Sequence, residues 1–529
     1  MAANEHRFCL ILGAGYGGIV QACTLLRRGI LSSHDLEIID RNGGFGGVWW
    51  KNTYPGAACD IAAEVYTISW ALNPYWTRRL PSQPEIQHYL EKVALDHRLD
   101  ECTTFNTEVV DAAWDEQQLL WTVRTKDVRG TKAWTCNLLI SATGQYSTPR
   151  KPDIPGIDTF KGRQWHTSDW PKDNDADLKG KRVGIIGAGP SAAQLIPHIA
   201  DDVGRLFVYK RGSSFCVPRW DPETSRLRRW LFAMVPALAR WSRCWASRIT
   251  RYIHWNVTQE GSWWQKAVVA IAHFHLNRQV RDEQLREKLR AKDKFGCKHV
   301  LVLSDYYPVL NEEHVELITD PAVALDEYGI VSRNEETSRE ERREVDVLIW
   351  ATGYKAEEFG AAVPTRGRGG RLLSEKYGSD MCSLYGLAVD EFPNYFNLLG
   401  PNSIGFDIHI VELFELQAEY IAQIAQYLHR RQTEKQDHGR RYAVMAKGER
   451  LREWSFSLRE GQAKHPAADP ACRSHYKSKD GQVFFYPYGY AQYKKLVRQV
   501  DFGRDWLLLS RISDNPVTAI AEIPLSDRS

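Results

Sequence analysis

The stretch FCLILGAGYGGIV, residues 8–20, decides the fold of this 529-residue chain. Its apolar first part, residues 8–12, predicts a β-strand, and Gly13, Gly15 and Gly18 predict a tight turn that opens a helix. In a βαβ nucleotide-binding unit, the first glycine makes the turn and the second lets a pyrophosphate approach the backbone. The third lets the helix pack on the strand. N–H groups at the start of the helix then bind phosphate.

A second apolar segment, LEIID, ends in Asp40, whose carboxylate can accept hydrogen bonds from both hydroxyls of a ribose. The separation of Gly13 and Asp40 exceeds the usual spacing, and GILSSHD can form the extra loop. The glycine pattern alone is weak evidence, because such glycines also occur in incidental turns. Strand, turn, helix, strand and terminal acid together predict a dinucleotide site.

The arrangement recurs in KRVGIIGAGPSAAQL, residues 181–195. An apolar strand precedes Gly187 and Gly189, an alanine takes the third glycine position, and Ser191 lies at the start of the predicted helix. This repetition predicts a second dinucleotide site in the same chain.

The strand that follows, RLFVYKRGSSF, ends in Lys210 and Arg211 rather than in an acid. A cation suits the 2′-phosphate of NADPH, which an acid would repel. We therefore expect this second site to prefer NADPH to NADH; the alternative is a solvated basic end of a strand.

Two further turns, in LLISATGQ and VLIWATGY, each follow an apolar strand. They are expected where the chain leaves one nucleotide-binding layer for another. Gln145 is the last residue of the first turn, and we expect it to bind the cofactor. One acidic and one basic dinucleotide site predict FAD and NADPH as the cofactors.

Composition limits the other classes of function. The hydrophobic content of 43% and charged content of 26% are typical of a globular protein, and a net charge of +3 gives no reason to expect a nucleic-acid partner. The N-terminal residues do not resemble a secretory signal, and no apolar run reaches 18 residues. The ten cysteines are scattered without a CxxC pair, which argues against a disulfide framework or a zinc site and for a reducing compartment. We expect a cytoplasmic protein, as a monomer or small homo-oligomer.

The segment FKGRQWHTSDWP, residues 160–171, lies between the two glycine turns. With Phe160, Gly162, His166, Trp170 and Pro171, it resembles the fingerprint F-x-G-x-x-x-H-x-x-x-W-P/D of Baeyer–Villiger-type flavin-dependent monooxygenases. Related N- and S-oxygenating flavoproteins share its first part but usually lack the Trp-Pro ending. The resemblance ties His166 to communication between the cofactors, and we expect it to make a structural hydrogen bond in the linker.

A second stretch of that family, G-G-x-W-x-x-x-x-Y-P-G-x-x-x-D, is complete in GGVWWKNTYPGAACD. Gly47 and Trp49 are expected beside the flavin, where aromatic and proline residues stiffen a loop. The resemblance places Asp60 near the reactive face of the flavin, where its carboxylate positions an active-site cation. From the residues alone, a capping or surface acid is the expected role of Asp60, and only the family motif favours a place in the active site.

The resemblance covers nearly the whole chain. It implies an α/β fold with two Rossmann-like dinucleotide-binding domains, for FAD and NADP, and a helical insertion in the NADP domain. The expected division is an FAD domain (1–149 and 376–529, the latter with the C-terminal tail), an NADP domain (150–219 and 299–375) and the helical insertion (220–298).

The resemblance also implies the reaction. NADPH reduces FAD, O₂ adds as a flavin C4a-peroxide, and the peroxide attacks a ketone; migration of a carbon then yields an ester or lactone. The protein must exclude water, retain NADP⁺ and stabilise the negative charge. The partners are O₂ and a small organic substrate, which the abundant aromatic residues suggest is bulky and apolar.

Two departures from the family pattern leave the type of reaction open. The family's G-x-K-R segment reads Gly296, Cys297, Lys298 and His299, so that Lys298 suits a second contact to the 2′-phosphate but a histidine replaces the arginine. We hypothesise that His299, protonated through Asp60, takes the catalytic place of the arginine. The family's Ser-Trp-Tyr is Ser-His-Tyr here, at residues 474–476. Hydroxylation, epoxidation or oxidation of nitrogen or sulfur is therefore the alternative reaction.

Residues 220–298 are rich in tryptophan and arginine. RLRRWLFAMVPALARWSRCWASRITRYIHW predicts an amphipathic helix interrupted at Pro236. A helical insertion over the active site is expected, and peripheral membrane contact through residues 220–265 is the alternative. A flavin disulfide reductase would need a partner for Cys59 in a CxxC or CxxxxC pair, which is missing. A non-catalytic nucleotide sensor is the remaining class.

Overall fold

A computed structural model of the chain describes residues 5–172, 176–433, 440–472, 477 and 481–512. Its strands are β1 (Glu5–Leu12), β2 (Leu36–Ile39), β3 (Thr103–Thr104), β4 (Glu108–Asp115), β5 (Leu120–Asp127), β6 (Gly130–Ser141), β7 (Arg163–His166), β8 (Arg182–Ile186), β9 (Arg205–Tyr209), β10 (Cys216–Val217), β11 (Leu301–Val302), β12 (Val315–Ile318), β13 (Ala322–Leu325), β14 (Gly329–Arg333), β15 (Glu340–Glu344), β16 (Val347–Trp350), β17 (Thr365–Arg366), β18 (Tyr395–Asn397), β19 (Arg440–Ala446) and β20 (Trp506–Ile512). Its α-helices are α1 (Tyr16–Arg27), α2 (Val48–Lys51), α3 (Gln83–Asp96), α4 (Pro190–Ile199), α5 (Arg226–Met234), α6 (Pro236–Thr258), α7 (Trp263–Gln279), α8 (Glu283–Leu289), α9 (Tyr306–Val309), α10 (Leu373–Ser379), α11 (Ile410–Thr433), α12 (Gly448–Gln462), α13 (Tyr490–Leu496) and α14 (Phe502–Asp505).

The first sheet has the order β17-β4-β5-β6-β1-β2-β3, and β18 also pairs with β6. Strand β1 lies parallel to both β2 and β6, as in a Rossmann-like unit, while β4, β5 and β6 form an antiparallel meander. Helices α1 and α11 pack together against this sheet. Because β17 pairs with β4, the chain returns to the first sheet by Thr365, ahead of the expected boundary at 376.

The second sheet is entirely parallel, with the order β12-β9-β8-β16-β7. Parallel sheets need cover on both faces, and the interior of β8 and β16 is accordingly apolar and buried. The fold is thus α/β with two Rossmann-like sheets, as the two glycine turns predict.

Helices α5 to α8 follow β10 as an insertion before the chain returns to β11 and the second sheet. The predicted interruption at Pro236 is confirmed, since α5 ends at Met234 and Pro236 is the first residue of α6. In the described part of the chain, no helix combines the length and apolar character needed to cross a bilayer.

One disulfide departs from the expectation drawn from the scattered cysteines. Cys297 and Cys472 are bonded although 175 positions separate them in sequence. Linear spacing cannot reveal such a pair, because the end of the insertion and the segment after α12 meet only in the tertiary fold. The other eight cysteines are free.

Candidate functional site

The first glycine turn joins β1 to α1 at the carboxyl edge of the first sheet. Gly13 has φ +112°, and a Cβ there would lie 2.6 Å from the carbonyl oxygen of Ala142, in the first ATG turn. A Cβ at Gly18 would lie 1.9 Å from the carbonyl oxygen of Gly13. Only glycine therefore fits the turn and the packing of helix on strand.

A second loop faces this turn. A Cβ on Gly47, which has φ +59°, would lie 2.9 Å from the Cα of Gly15. Trp49, two residues later, donates from Nε1 to the hydroxyl of Tyr66 at 3.0 Å, and the two rings meet edge to face. The backbones of Gly15 and Gly47 are therefore in close contact, and the N–H groups beside them at the start of α1 suit a pyrophosphate.

Asp40 lies beside the same turn, directly after β2. Its carboxylate accepts hydrogen bonds from the backbone N–H of Ala14 at 2.6 Å and of Asn42 at 2.7 Å. Burial raises the pKa of Asp40 despite these bonds. Gln145, after the first ATG turn, is also buried at this edge of the sheet.

The second glycine turn repeats the first. Gly187 has φ +126°, and a Cβ there would lie 2.1 Å from the carbonyl oxygen of Ala351 in the second ATG turn. Gly189 precedes α4 with open space around it, and Ser191 lies in the first turn of that helix. The start of α4 is therefore accessible to a second dinucleotide.

Helix α4 also contacts the loop of the first domain. The hydroxyl of Tyr54 donates to Oε1 of Gln194 at 2.9 Å, and a Cβ on Gly56 would lie 2.4 Å from Nδ1 of His198. The two glycine turns thus lie on opposite sides of one shared loop.

The two cations expected at the 2′-phosphate converge. Arg211 is exposed after β9, and a Cβ on the adjoining Gly212 would lie 2.7 Å from Nζ of Lys298. Asp293 pairs with Lys298 at 2.6 Å. Lys210, in contrast, is buried and donates to the hydroxyl of Tyr306, so it points away from solvent.

The fingerprint segment forms β7 at the edge of the second sheet. Phe160 is buried, and Gly162 is required because a Cβ there would lie 2.4 Å from the Phe160 ring and 2.6 Å from the carbonyl oxygen of Asp346. Trp170 meets Trp165 edge to face at 5.7 Å, with Pro171 next in the chain. Asp169 pairs with Lys51 of the first domain at 2.5 Å.

His166 is almost completely buried at the end of β7. Its Nδ1 accepts from the backbone N–H of Ser168 at 3.1 Å, and its Nε2 donates to the carbonyl oxygen of Gly353 at 3.1 Å. Burial lowers the pKa of His166 although the bond to Gly353 works in the other direction. A neutral ring with both nitrogens engaged fastens the linker to the second ATG turn.

Asp60 and His299 meet between the two glycine turns. Oδ2 of Asp60 lies 2.8 Å from Nε2 of His299. Burial disfavours a charge on both groups, but their mutual hydrogen bond and attraction prevail: the pKa of His299 is raised and that of Asp60 lowered. The side chains are still 41% and 33% exposed, because they line an open cleft. Both shifts favour the ionised form of the pair, which remains accessible to a substrate.

Comparisons with known proteins agree with this geometry. The chain is 50% identical to the FAD-binding monooxygenase BOA2 of Botryotinia fuckeliana over 97% of its own length and 96% of that protein. It is 32% identical to a Baeyer–Villiger monooxygenase of Streptomyces coelicolor, covering 94% of this chain and 92% of the relative. The chain belongs to the Baeyer–Villiger monooxygenase family of flavoproteins.

Solved structures of such monooxygenases have the same fold. The closed crystal structure of cyclohexanone monooxygenase superposes with a TM-score of 0.80 at 25% identity, over 94% of this chain and 97% of that chain. An oxidized steroid monooxygenase bound to NADP gives 0.79 at 26% identity, over 94% and 97%. The profile of the family described as L-lysine 6-monooxygenase/L-ornithine 5-monooxygenase matches residues 74–211.

The cleft of this Baeyer–Villiger monooxygenase contains polar residues that the sequence analysis did not predict. His254, on α6, is close enough to Asp60 and Asp407 for their charges to act on it, yet burial lowers its pKa. Its ring lies 5.8 Å from that of His409, whose Nε2 is 2.8 Å from Oγ1 of Thr250. No local pattern marks His254, because it lies within a helix rich in tryptophan and arginine.

Two other expectations concerned the Ser-His-Tyr segment and the tryptophans of the insertion. Residues 474–476 of the Ser-His-Tyr segment lie outside the described residues. The tryptophans of the insertion face outward: Trp220, Trp230, Trp241 and Trp263 are 58–69% exposed. Their abundance therefore gives no information on the wall of the substrate site in this Baeyer–Villiger monooxygenase.

Proposed function

We propose that this monooxygenase binds FAD at the first glycine turn and NADPH at the second. It then inserts one oxygen atom from O₂ next to the carbonyl of a ketone, giving an ester or lactone. The observation that carries this proposal is the charged Asp60–His299 pair, 2.8 Å apart in the cleft between the two turns.

The residues of the first turn fit FAD. A Cβ on Gly47 would collide with the backbone of Gly15, so the region beside the N–H groups at the start of α1 has no side chain from either residue, which supports a pyrophosphate there. Asp40 is the ribose-binding acid of the proposal, and Trp49 and Gln145 lie at the flavin end. When bound, FAD supplies the oxygen-activating chemistry with electrons from NADPH.

The residues of the second turn fit NADPH. Gly187 and Gly189 leave the start of α4 open for the pyrophosphate, with Ser191 beside it. Arg211 and Lys298 together present two cations to a 2′-phosphate, which NADH lacks.

The protein's own contribution to the chemistry is electrostatic. Asp60 accepts the hydrogen bond of Nε2–H and so keeps His299 an imidazolium. The imidazolium stabilises negative charge on the oxygen that is transferred to the substrate, the duty of an arginine elsewhere in the family. Trp49 and Tyr66 exclude water from the flavin end of the cleft.

The test is product analysis with the purified, flavin-loaded protein, NADPH, ¹⁸O₂ and a panel of ketones. We expect one ¹⁸O atom per product and an ester or lactone signal by NMR. NADPH consumption that releases only hydrogen peroxide with every ketone would overturn the proposal.

A second candidate reaction is oxygenation of nitrogen, sulfur or carbon without migration. The observation that favours it is His299 itself, since imidazolium offers fewer donors than guanidinium and, unlike guanidinium, can give up its proton. In the same assay, amine and thioether substrates that gain one ¹⁸O atom while all ketones fail would select it.

The remaining proposals concern the setting of the reaction. We propose the domain division of the family, with the return of the chain to the FAD domain moved from 376 to a point ahead of Thr365, where β17 pairs with β4. We also propose that the enzyme acts in the cytoplasm as a monomer or small homo-oligomer, which sedimentation analysis and cell fractionation would test.

A further inference from the structure

The helical insertion has an unusual distribution of apolar residues. Of the nineteen exposed large hydrophobic side chains in the described part of the chain, thirteen lie between Trp220 and Phe274. All the exposed tryptophans of that part are among them. A surface patch of this kind needs a partner, since isolated exposed side chains are normal but contiguous ones are not.

Helix α6 has its polar face toward the protein. Arg243 pairs with Glu415 at 3.2 Å and Ser247 donates to Glu412 at 2.6 Å; on α11, Glu412 is buried and Glu415 is half-buried. The inward face of α6 is therefore held by charge and hydrogen bonds rather than by apolar packing.

The opposite face of α6 is apolar and exposed. Trp241, Trp245, Ile249 and Tyr252 follow one another at helical spacing and are 60%, 47%, 50% and 60% exposed. At 100° per residue, these positions lie on one side of the helix. An amphipathic helix of a globular protein normally turns its apolar face toward the core. The exposed apolar face of α6 therefore indicates a binding partner outside the chain.

Helix α5 extends the same pattern. Leu227, Trp230 and Met234, at positions i, i+3 and i+7, are 65%, 58% and 64% exposed. On its other side, Arg228 pairs with Glu64 of the first domain. We call the exposed sides of α5 and α6 the outer face.

The charge of this segment identifies the partner. Residues 225–258 contain seven arginines and no aspartate or glutamate. Arg240 and Arg248 are exposed one helical position before Trp241 and Ile249. Tryptophan and arginine together suit the headgroup region of an anionic bilayer, where the ring enters the interface and the guanidinium binds phosphate.

We propose that the outer face is a docking surface for an anionic phospholipid membrane. A second copy of the chain fits less well, because a twofold contact would place each patch against itself and bring arginines opposite arginines. The helices lie on the membrane in its plane, and binding is reversible and weakened by salt.

Docking has a consequence for catalysis that rests on the proposed function. His254, on α6 itself, is electrostatically coupled to Asp60 in the cleft. A membrane at the outer face thus lies just across α6 from the substrate site. Lipophilic ketones dissolved in the bilayer would then be the substrate class.

The experiment is co-sedimentation of the flavin-loaded protein with vesicles of phosphatidylcholine alone or with 30% phosphatidylserine (about the anionic content that draws basic segments). We expect binding to the anionic vesicles that falls as salt is added. The double variant Trp241→Ser/Trp245→Ser and the charge reversal Arg240→Glu/Arg248→Glu should each weaken binding by about tenfold or more. Phe456→Ser, which removes an aromatic ring 78% exposed on α12, is the matched control and should bind as before.

Three outcomes would overturn the proposal. The first is wild-type protein that stays in the supernatant with anionic vesicles. The second is binding that survives both double variants. The third is a dimer in solution that Trp241→Ser/Trp245→Ser dissociates, which would assign the outer face to a second copy. Because sedimentation needs no turnover, it is independent of whether the proposed reaction is correct.

Discussion

Nε2 of His299 lies 2.8 Å from Oδ2 of Asp60, although 239 positions separate the two residues in sequence. The loop after α2 supplies the acid, and the segment between α8 and β11 supplies the histidine. The contact joins the two nucleotide-binding halves at the point where the reaction is proposed to occur. It also makes the charge of His299 depend on a partner in the other half, and this dependence can be tested.

Replacing His299 by alanine should reduce product formation by about a hundredfold, the loss typical of removing one electrostatic stabiliser of a transition state. Flavin reduction by NADPH, followed anaerobically, should keep its rate. His299→Arg is the matched control and should retain activity. Equal product formation by the alanine variant and the wild type would remove His299 from the mechanism.

The rate of oxygenation should depend on pH through the same pair. Asp60 raises the pKa of His299 above 6.5, so the ring is charged below the raised value and loses its proton as pH increases through it. Oxygenation should therefore decline at the alkaline side, and Asp60→Asn should move that decline to lower pH. The measurement is the pH profile of the oxygenation step in single turnovers. An identical profile for Asp60→Asn would contradict the coupling.

The choice of NADPH over NADH should depend on Arg211 and Lys298. Replacing either by alanine should raise the KM for NADPH about tenfold or more, by loss of a charge-assisted contact to phosphate, and leave the KM for NADH unchanged. Steady-state oxidation of NADPH and, separately, of NADH measures the two KM values. Lys292→Ala, at an exposed lysine of the same segment, is the control. A parallel loss with both coenzymes would point to misfolding instead.

FAD retention should depend on the absence of a side chain at Gly47. Gly47→Ala would add a Cβ 2.9 Å from the Cα of Gly15 at a positive φ, and the variant should purify with little flavin. Gly29→Ala is the matched control, because Gly29 also has a positive φ, +63°, but has nothing within 4 Å. That variant should lose only about 1 kcal/mol of stability and keep its flavin. The ratio of flavin to protein absorbance distinguishes them.

The disulfide between Cys297 and Cys472 should stabilise the segment that carries Lys298 and His299. Cys472→Ser should lower the free energy of unfolding by about 2 kcal/mol and raise the KM for NADPH. Thermal unfolding and steady-state kinetics test the two effects. Cys244→Ser, at an exposed free cysteine, is the control, and equal thermal midpoints for the two variants would argue against a role for the bond.

Much of the site was predictable because it depends on local backbone geometry. Gly13, Gly18 and Gly187 are followed by helices and packed by neighbours that leave no room for a side chain, and such requirements appear directly in the order of residues. The 2′-phosphate role of Arg211 and Lys298 stays a prediction, made because a phosphate needs positive charge, and the structure brings Lys298 next to Gly212, which follows Arg211. The inward orientation of Lys210 was not predictable, because whether a strand-end lysine turns inward is decided by packing against Tyr306.

The two Rossmann-like units, the helical insertion with its break at Pro236 and the family of the chain were all predictable from the order of residues. Each of these depends on short-range patterns of glycine, proline and apolar residues. Only the tertiary structure decided that Cys297 bonds Cys472, that His254 joins the cleft and that the tryptophans of α6 face outward. These features depend on residues far apart in sequence, and the polar side of α6 faces inward because Glu412 and Glu415 of α11 accept hydrogen bonds and charge pairing from it.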